Sequence, residues 1–122
     1  MPFAVLAQDL PSGFANKLHA LLCRPYVKGR DWFDFAWYID RGIKPTLLLL
    51  QNALRQQGPW KAQRLRIDRG WLVQQLGDVI NRIDWRQARL DVARFLEAPE
   101  RRGLEVWGKD FFEEQARRVA CE

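Results

Sequence analysis

The 122-residue sequence predicts one mainly α-helical, bundle-like domain with five to six helices and a single short N-terminal β-strand. Apolar residues recur at intervals of three and four over most of the chain, which places them on one face of a helix. Proline and glycine separate these segments, and Ser or Asp residues able to cap a helix precede several of them. No repeat or Ser/Gly-rich linker divides the chain, so residues 1–122 are expected to form one domain.

The first three predicted elements are a strand and two helices. The apolar run Phe3–Ala7 is too short for a helix and predicts a strand. A first helix is expected to begin with Ser12 as its N-cap and to stop before Arg24-Pro25. The second segment, Trp32–Ile39, is apolar on nearly all sides and ends before Gly42, so we expect it to be central and buried.

Four helical segments complete the prediction. Pro45 is expected in the first turn of the third helix, and Asp68 and Asp84 are expected to cap the fourth and fifth. A single helical turn is expected just before the last helix. In order, the segments are Thr46–Gln56, the helix after Asp68, the helix after Asp84 that ends at Ala98-Pro99, and Lys109–Ala120 preceded by the turn at Leu104–Trp107.

Composition excludes several classes of protein. No run approaches the roughly 18 to 20 apolar residues of a membrane span, and the N-terminus lacks the features of a secretory signal, so a cytoplasmic location is expected. Cys23, Cys121 and the lone His19 are too few for a disulfide framework or a zinc site. The net charge of +5 weakly favours a nucleotide or nucleic acid as partner.

The candidate functional residues are the densest polar group within otherwise apolar helices, namely Lys17 and the closely spaced Arg30, Asp31 and Asp34. Two interpretations of these residues are open. Arg30 and Asp31 near a helix start are compatible with ordinary capping, and Lys17 and Asp34 with a structural ion pair between two helices. Alternatively, this mixture of charges forms a functional site.

The same residues resemble the AbiEii/AbiGii family of abortive-infection toxins. The family carries a Lys as in Lys17-Leu-His-Ala-Leu-Leu, then a basic loop, then Arg-Asp-x-x-Asp as in residues 30–34. Residues 84–96 and 107–112 are also similar to the end of that family. The resemblance implies the C-terminal half of a polymerase-β-like nucleotidyltransferase. The Gly-Ser turn and Asp-x-Asp pair that hold triphosphate and Mg²⁺ in such enzymes are missing from this sequence.

The resemblance also implies roles for individual residues. Lys17 would face the triphosphate as a nucleotide-binding and catalytic residue, and Arg30 would also bind nucleotide. Asp31 and Asp34 would be catalytic, one near the nucleophile or orienting Lys17, and no metal ligand is assigned. A complete family member would use Mg²⁺ and an NTP to transfer a nucleotide, in known cases to RNA. This chain, as the C-terminal part alone, is expected to be inactive by itself.

Several partners and one alternative function follow. The resemblance implies an AbiEi-type antitoxin or a separate N-terminal half as partner. RNA could follow the basic stretches 61–69 and 86–94, with Trp60 and Trp71 available for stacking, but solvated helix faces explain these stretches better, because acidic residues are interspersed and no RNA-binding signature occurs. A homodimer or larger homo-oligomer is expected through the N-terminal strand or the first two helices. The alternative is a non-catalytic helical remnant that binds nucleic acid or protein.

Overall fold

The computed structural model of the chain describes residues 9–119, and the regular secondary structure of this part is helical. It contains seven α-helices and no β-strand, which confirms the predicted mainly α-helical class. The predicted strand Phe3–Ala7 lies outside the described residues. The elements are α1 (Leu10–Cys23), α2 (Gly29–Asp40), α3 (Leu47–Gln56), α4 (Arg69–Arg82), α5 (Trp85–Ala93), α6 (Ala98–Gly103), a 3-10 turn (Leu104–Val106) and α7 (Lys109–Arg117).

Helix α2 lies at the centre of the domain. It packs against α1, α5 and α7, while α1 also contacts α3 and α4, and α4 contacts α7. Trp32, Phe35, Tyr38 and Ile39 of α2 are all buried. The spacing of three and four residues between them places them where neighbouring helices can cover them. The prediction of a central, buried second helix is therefore confirmed.

An aromatic cluster joins α2, α5 and α7 around Phe112. The Phe112 ring is stacked on Trp85 at 4.3 Å between centroids and meets Trp32 and Trp107 edge-on at 5.4 Å and 5.0 Å. All four rings are buried. Stacked and edge-to-face arrangements are the favoured geometries for aromatic pairs, and each pair adds to the hydrophobic gain. Phe112 is thus the common contact of three helices.

Two helix starts follow the predicted caps. The Asp68 carboxylate accepts a hydrogen bond from the Trp71 amide at 2.7 Å, and that of Asp84 accepts one from the Gln87 amide at 3.1 Å. Each bond satisfies an amide in the first turn that has no partner within the helix. Gly42 follows α2 with a φ of +68°, a conformation that glycine adopts at little cost. These three boundaries could be read from single residues.

Three proline-related boundaries differ from the predictions. Ser12 is not the N-cap of α1, because the helix already begins at Leu10 and includes Pro11 in its first turn. Pro45 precedes α3 and its N-cap Thr46, so it lies outside the helix. Ala98-Pro99 does not simply end a helix: it starts the short α6, in which proline occupies the first turn. Proline lacks an amide hydrogen, and a first turn does not require one.

Helix α2 begins earlier than expected because Gly29 touches α5. A Cβ atom at this position would overlap the carbonyl oxygen of Ala88 and crowd Val92. The glycine therefore lets the first turn of α2 approach the backbone of α5 directly. This contact fixes the position of the residues that follow, which include Arg30 and Asp31.

Among residues 9–119, no helix combines the length and apolar character needed to cross a membrane.

Candidate functional site

Lys17 lies between two carboxylates of the neighbouring helix. Its Nζ is 2.9 Å from Asp31 Oδ1 and 3.1 Å from Asp34 Oδ2. Asp31 and Asp34 are three residues apart on α2, and this spacing puts both on the face that meets α1. The structure thus brings together three of the four residues selected from the sequence.

Arg24 completes the cluster, and sequence reasoning missed it. Its guanidinium donates to Asp31 Oδ2 at 2.6 Å, so the two oxygens of Asp31 are held by different cations. Arg24 follows Lys17 by seven residues, about two helical turns, which keeps both on one side of α1. This seven-residue spacing is the feature of the sequence from which Arg24 could have been predicted. We call Lys17, Arg24, Asp31 and Asp34 the charge cluster.

The four groups of the charge cluster differ in their access to solvent. The Asp31 side chain is only 8% exposed, whereas those of Lys17 and Asp34 are 21% and 22% exposed. Two positive and two negative charges make the cluster neutral overall. Asp31 is therefore a buried anchor for the two cations, whereas Lys17, Asp34 and Arg24, the last with 26% of its side chain exposed, form the face that a ligand can reach.

Tyr38 lies behind the charge cluster, one helical turn after Asp34. Its ring is buried and stacked on Phe14 with 4.6 Å between centroids. Burial, and secondly the negative charge of Asp34, raises the pKa of Tyr38 to about 12. Both causes favour the neutral phenol over the phenolate.

This raised pKa predicts a loss of stability in alkali. A tyrosine in the unfolded chain titrates near pH 10, so the folded state binds the proton more tightly and its advantage is lost as the pH rises from about 10 through 12. The free energy of unfolding attributable to Tyr38 should be about 1 kcal/mol lower at about pH 11 than at about pH 9. Urea unfolding at both pH values should show a smaller difference for Tyr38→Phe. An equal pH dependence in both proteins would contradict the assignment.

Arg30 does not join the charge cluster. Its side chain is exposed, and its guanidinium lies over the Phe95 ring, 5.2 Å from the centroid. Successive residues of a helix point about 100° apart, so Arg30 and Asp31 face different neighbours. The resemblance groups the two residues by sequence, whereas the helix separates their side chains.

Other polar and aromatic candidates have structural partners. His19 faces away from the charge cluster and lies 3.1 Å from the carbonyl oxygen of Gln57. Trp60 and Trp71 are half-buried and pack edge-on against each other, with 5.3 Å between ring centroids. The stacking role of these two tryptophans stays a prediction.

The charge cluster does not fit a Mg²⁺ ion. Residues 9–119 contain no group of three His, Cys, Asp or Glu side chains that could hold a metal ion. Magnesium requires several oxygen ligands in octahedral geometry, and the two carboxylates of the cluster are already bound to Lys17 and Arg24. These residues can bind phosphate oxygens through Lys17, but they do not form a metal site on their own.

Comparison with known proteins identifies a family. Searches of curated proteins and of solved structures return no significant match. A family model described as "Nucleotidyl transferase AbiEii toxin, Type IV TA system" matches residues 1–113 of the 122. The match covers most of the chain, including all four residues of the charge cluster. The chain therefore belongs to the nucleotidyl transferase AbiEii toxin family of type IV toxin–antitoxin systems.

Proposed function

We propose that this chain contributes the charge cluster to the active site of a nucleotidyltransferase that moves a nucleotide from an NTP to RNA. The observation that carries the proposal is Lys17, whose ammonium group is held between two carboxylates and remains partly open to solvent. The Mg²⁺-binding carboxylates would come from another segment or another polypeptide. Membership of a nucleotidyl transferase family supports the reaction class.

The different exposure and ion-pair partners of Asp31 and Asp34 support different roles for the residues of the site. In the reaction, a hydroxyl oxygen of the acceptor attacks the α-phosphorus, the bond to the bridging oxygen breaks, and pyrophosphate leaves. Lys17 would contact triphosphate oxygens and offset their growing charge. Asp34, the more exposed carboxylate, would lie nearer the acceptor and accept the hydroxyl proton, whereas Asp31 would hold Lys17 and Arg24 in position.

Charge balance supports the view that the chain is inactive alone. The charge cluster is neutral, so by itself it attracts a triphosphate only weakly. Nucleotidyl transfer depends mainly on positioning and on neutralising phosphate charge, a task that metal ions usually perform. The missing positive charge must therefore be supplied by groups outside the cluster.

Reconstitution of transfer tests the proposal. Labelled NTPs, Mg²⁺ and total RNA would be incubated with this chain alone and with an added N-terminal half of a family member that carries Gly-Ser and Asp-x-Asp. We expect transfer only in the mixture. Lys17→Met should reduce the rate by about 100- to 1000-fold, the range seen when one charge-stabilising donor is removed.

Lys44→Met is the matched control, because Lys44 is exposed and lies outside the charge cluster. This variant should retain the rate of the unmodified protein. Transfer by the chain alone would contradict the need for further carboxylates. A rate unchanged by Lys17→Met would contradict the role of the cluster, and RNA binding without transfer in any mixture would favour the non-catalytic helical module.

The family also bears on partners. Its type IV toxin–antitoxin classification supports an AbiEi-type antitoxin as the functional counterpart of this chain. Self-association through the N-terminal strand or the first two helices stays a prediction, which the mass in solution tests.

A further inference from the structure

A basic aromatic surface lies beside the charge cluster, where the start of α2 meets the end of α5. We define this surface as Tyr26, Lys28, Arg30, Arg94 and Phe95. Four of these residues line a cleft of about 310 Å³ together with Val27, Gly29 and Asp91. Three cations and two aromatic rings are thus concentrated at one corner of the protein.

Both rings of this surface are open to solvent while cations contact them. Phe95 is 59% exposed, and the guanidinium groups of Arg30 and Arg94 lie 5.2 Å and 5.5 Å from its centroid. Tyr26 is 58% exposed, with Lys28 at 5.9 Å from its centroid. Large exposed aromatics contribute little to a core, and rings with flanking guanidinium groups can stack a flat ligand.

The charge of the surface favours an anionic ligand. Neither Lys28 nor Arg30 forms an ion pair within residues 9–119. The one acidic residue of the cleft, Asp91, accepts a hydrogen bond from Gln87 at 3.1 Å and lies 4.0 Å from Arg94. Asp91 can offset only one of the three cations of the cleft, so the cleft keeps a net positive charge that can attract phosphate.

We propose that the basic aromatic surface binds single-stranded nucleic acid, with a base stacked on Phe95 and phosphates bound by Lys28 and Arg30. Exposed rings interleaved with cations are the features of single-strand binding, because unpaired bases offer their faces to aromatic side chains. A duplex keeps its bases stacked on each other and could use only the cations. An acidic protein would likewise leave the rings without a specific role.

The surface is physically joined to the charge cluster through Arg24. This side chain donates to Asp31 and also lies 5.6 Å from the centroid of the Tyr26 ring. A strand bound at Phe95 and Tyr26 would therefore reach Arg24, which belongs to the charge cluster. The proposal shares its class of partner with the proposed function, but it requires no catalysis and is measured by binding alone.

Fluorescence anisotropy with the full chain tests this surface. The probes are labelled single-stranded RNA of mixed sequence, single-stranded DNA of the same sequence and the corresponding RNA duplex. We expect tighter binding to single strands than to duplex. Phe95→Ala should weaken single-strand binding by roughly 5- to 150-fold, the range for loss of one stacked base. Arg30→Gln should weaken binding and reduce the slope of log K against log salt by about 0.7.

Two matched controls separate this proposal from general attraction to polyanions. Leu90→Ala removes an exposed apolar side chain of α5, 60% exposed, and Lys44→Gln removes an exposed charge from the segment between α2 and α3. Leu90→Ala should bind like the unmodified chain, and Lys44→Gln should keep the preference for single strands. Circular dichroism would verify folding, and Phe95→Trp should restore binding if Phe95→Ala loses it.

Three outcomes would overturn the proposal. Equal affinity of Phe95→Ala and Leu90→Ala would exclude stacking. If the duplex binds as tightly as the single strands, the surface binds phosphates only and does not stack on bases. Displacement of the strand by polyglutamate at equal charge concentration would indicate a surface for an acidic protein. Loss of nucleotide transfer with intact binding would contradict only the proposed catalytic role.

Discussion

Removing both cations from Asp31 is expected to lower the free energy of unfolding by about 3–5 kcal/mol, the cost of leaving a buried charge without a partner. Lys17→Met with Arg24→Met deletes the two positive groups that hold Asp31 while keeping most of the side-chain stems. Asp31 is 8% exposed, so water replaces the lost contacts poorly. Without Lys17, the charges of Asp31 and Asp34 on one helix face would also repel each other. Urea unfolding followed by tryptophan fluorescence measures the effect.

The design includes single variants, a rescue and a charge control. Each single variant leaves Asp31 one cation and should cost much less than half of the double variant, so the effects should not add. Asp31→Asn in the double variant should recover stability, because a buried neutral amide costs less than a buried charge. Lys28→Met with Arg30→Met changes the net charge equally but removes no partner of Asp31. Additive effects without rescue would show that Asp31 is solvated.

Phe112→Ala is expected to cost about 3–5 kcal/mol, the usual range for a large aromatic removed from a core. The ring is fully buried and contacts Trp32, Trp85 and Trp107, so its loss leaves a cavity among three helices. A domain of this size has a total stability of about 5–15 kcal/mol, so the variant should lose a large fraction of it. The measurement is the midpoint and slope of urea unfolding, with near-ultraviolet circular dichroism to follow the aromatic packing.

The neighbouring ring provides the comparison. Phe111 is only partly buried, and its ring meets that of Phe112 edge-on with 4.9 Å between centroids. Phe111→Ala should therefore cost less than half as much as Phe112→Ala. If Phe112→Ala does not fold at all, Phe112→Leu should fold with reduced stability. Equal losses at the two positions would contradict the central role of Phe112.

Helix boundaries set by a single local contact could be predicted from the sequence. Asp68 and Asp84 form their caps with residues three positions later, and Gly42 adopts the left-handed conformation that the end of a helix uses. The start of α2 could not be predicted in this way. It depends on the contact of Gly29 with Ala88, which is 59 positions away in the chain and leaves no local pattern.

The charge cluster was predictable only in part. Lys17, Asp31 and Asp34 were selected because charged residues stood out within apolar helices, and their side chains do meet. Arg24 was missed because it follows the end of a helix, where a basic residue has an ordinary explanation in the helix dipole. Arg30 was grouped with Asp31 because they are adjacent, although adjacent residues of a helix face different directions.

The contact between Gly29 and Ala88 has a consequence for how the site should be studied by mutation. Gly29 lies between Lys28 and Arg30 of the basic aromatic surface and two residues before Asp31. Any side chain at this position would push α5 away from α2 and displace the charge cluster and the basic aromatic surface together. In a screen scored by activity, this glycine would therefore rank with the residues of the proposed site although it has no reactive group. Loss of activity on substitution of Gly29 would reflect the distance between the backbones of α2 and α5, not a chemical role of this residue.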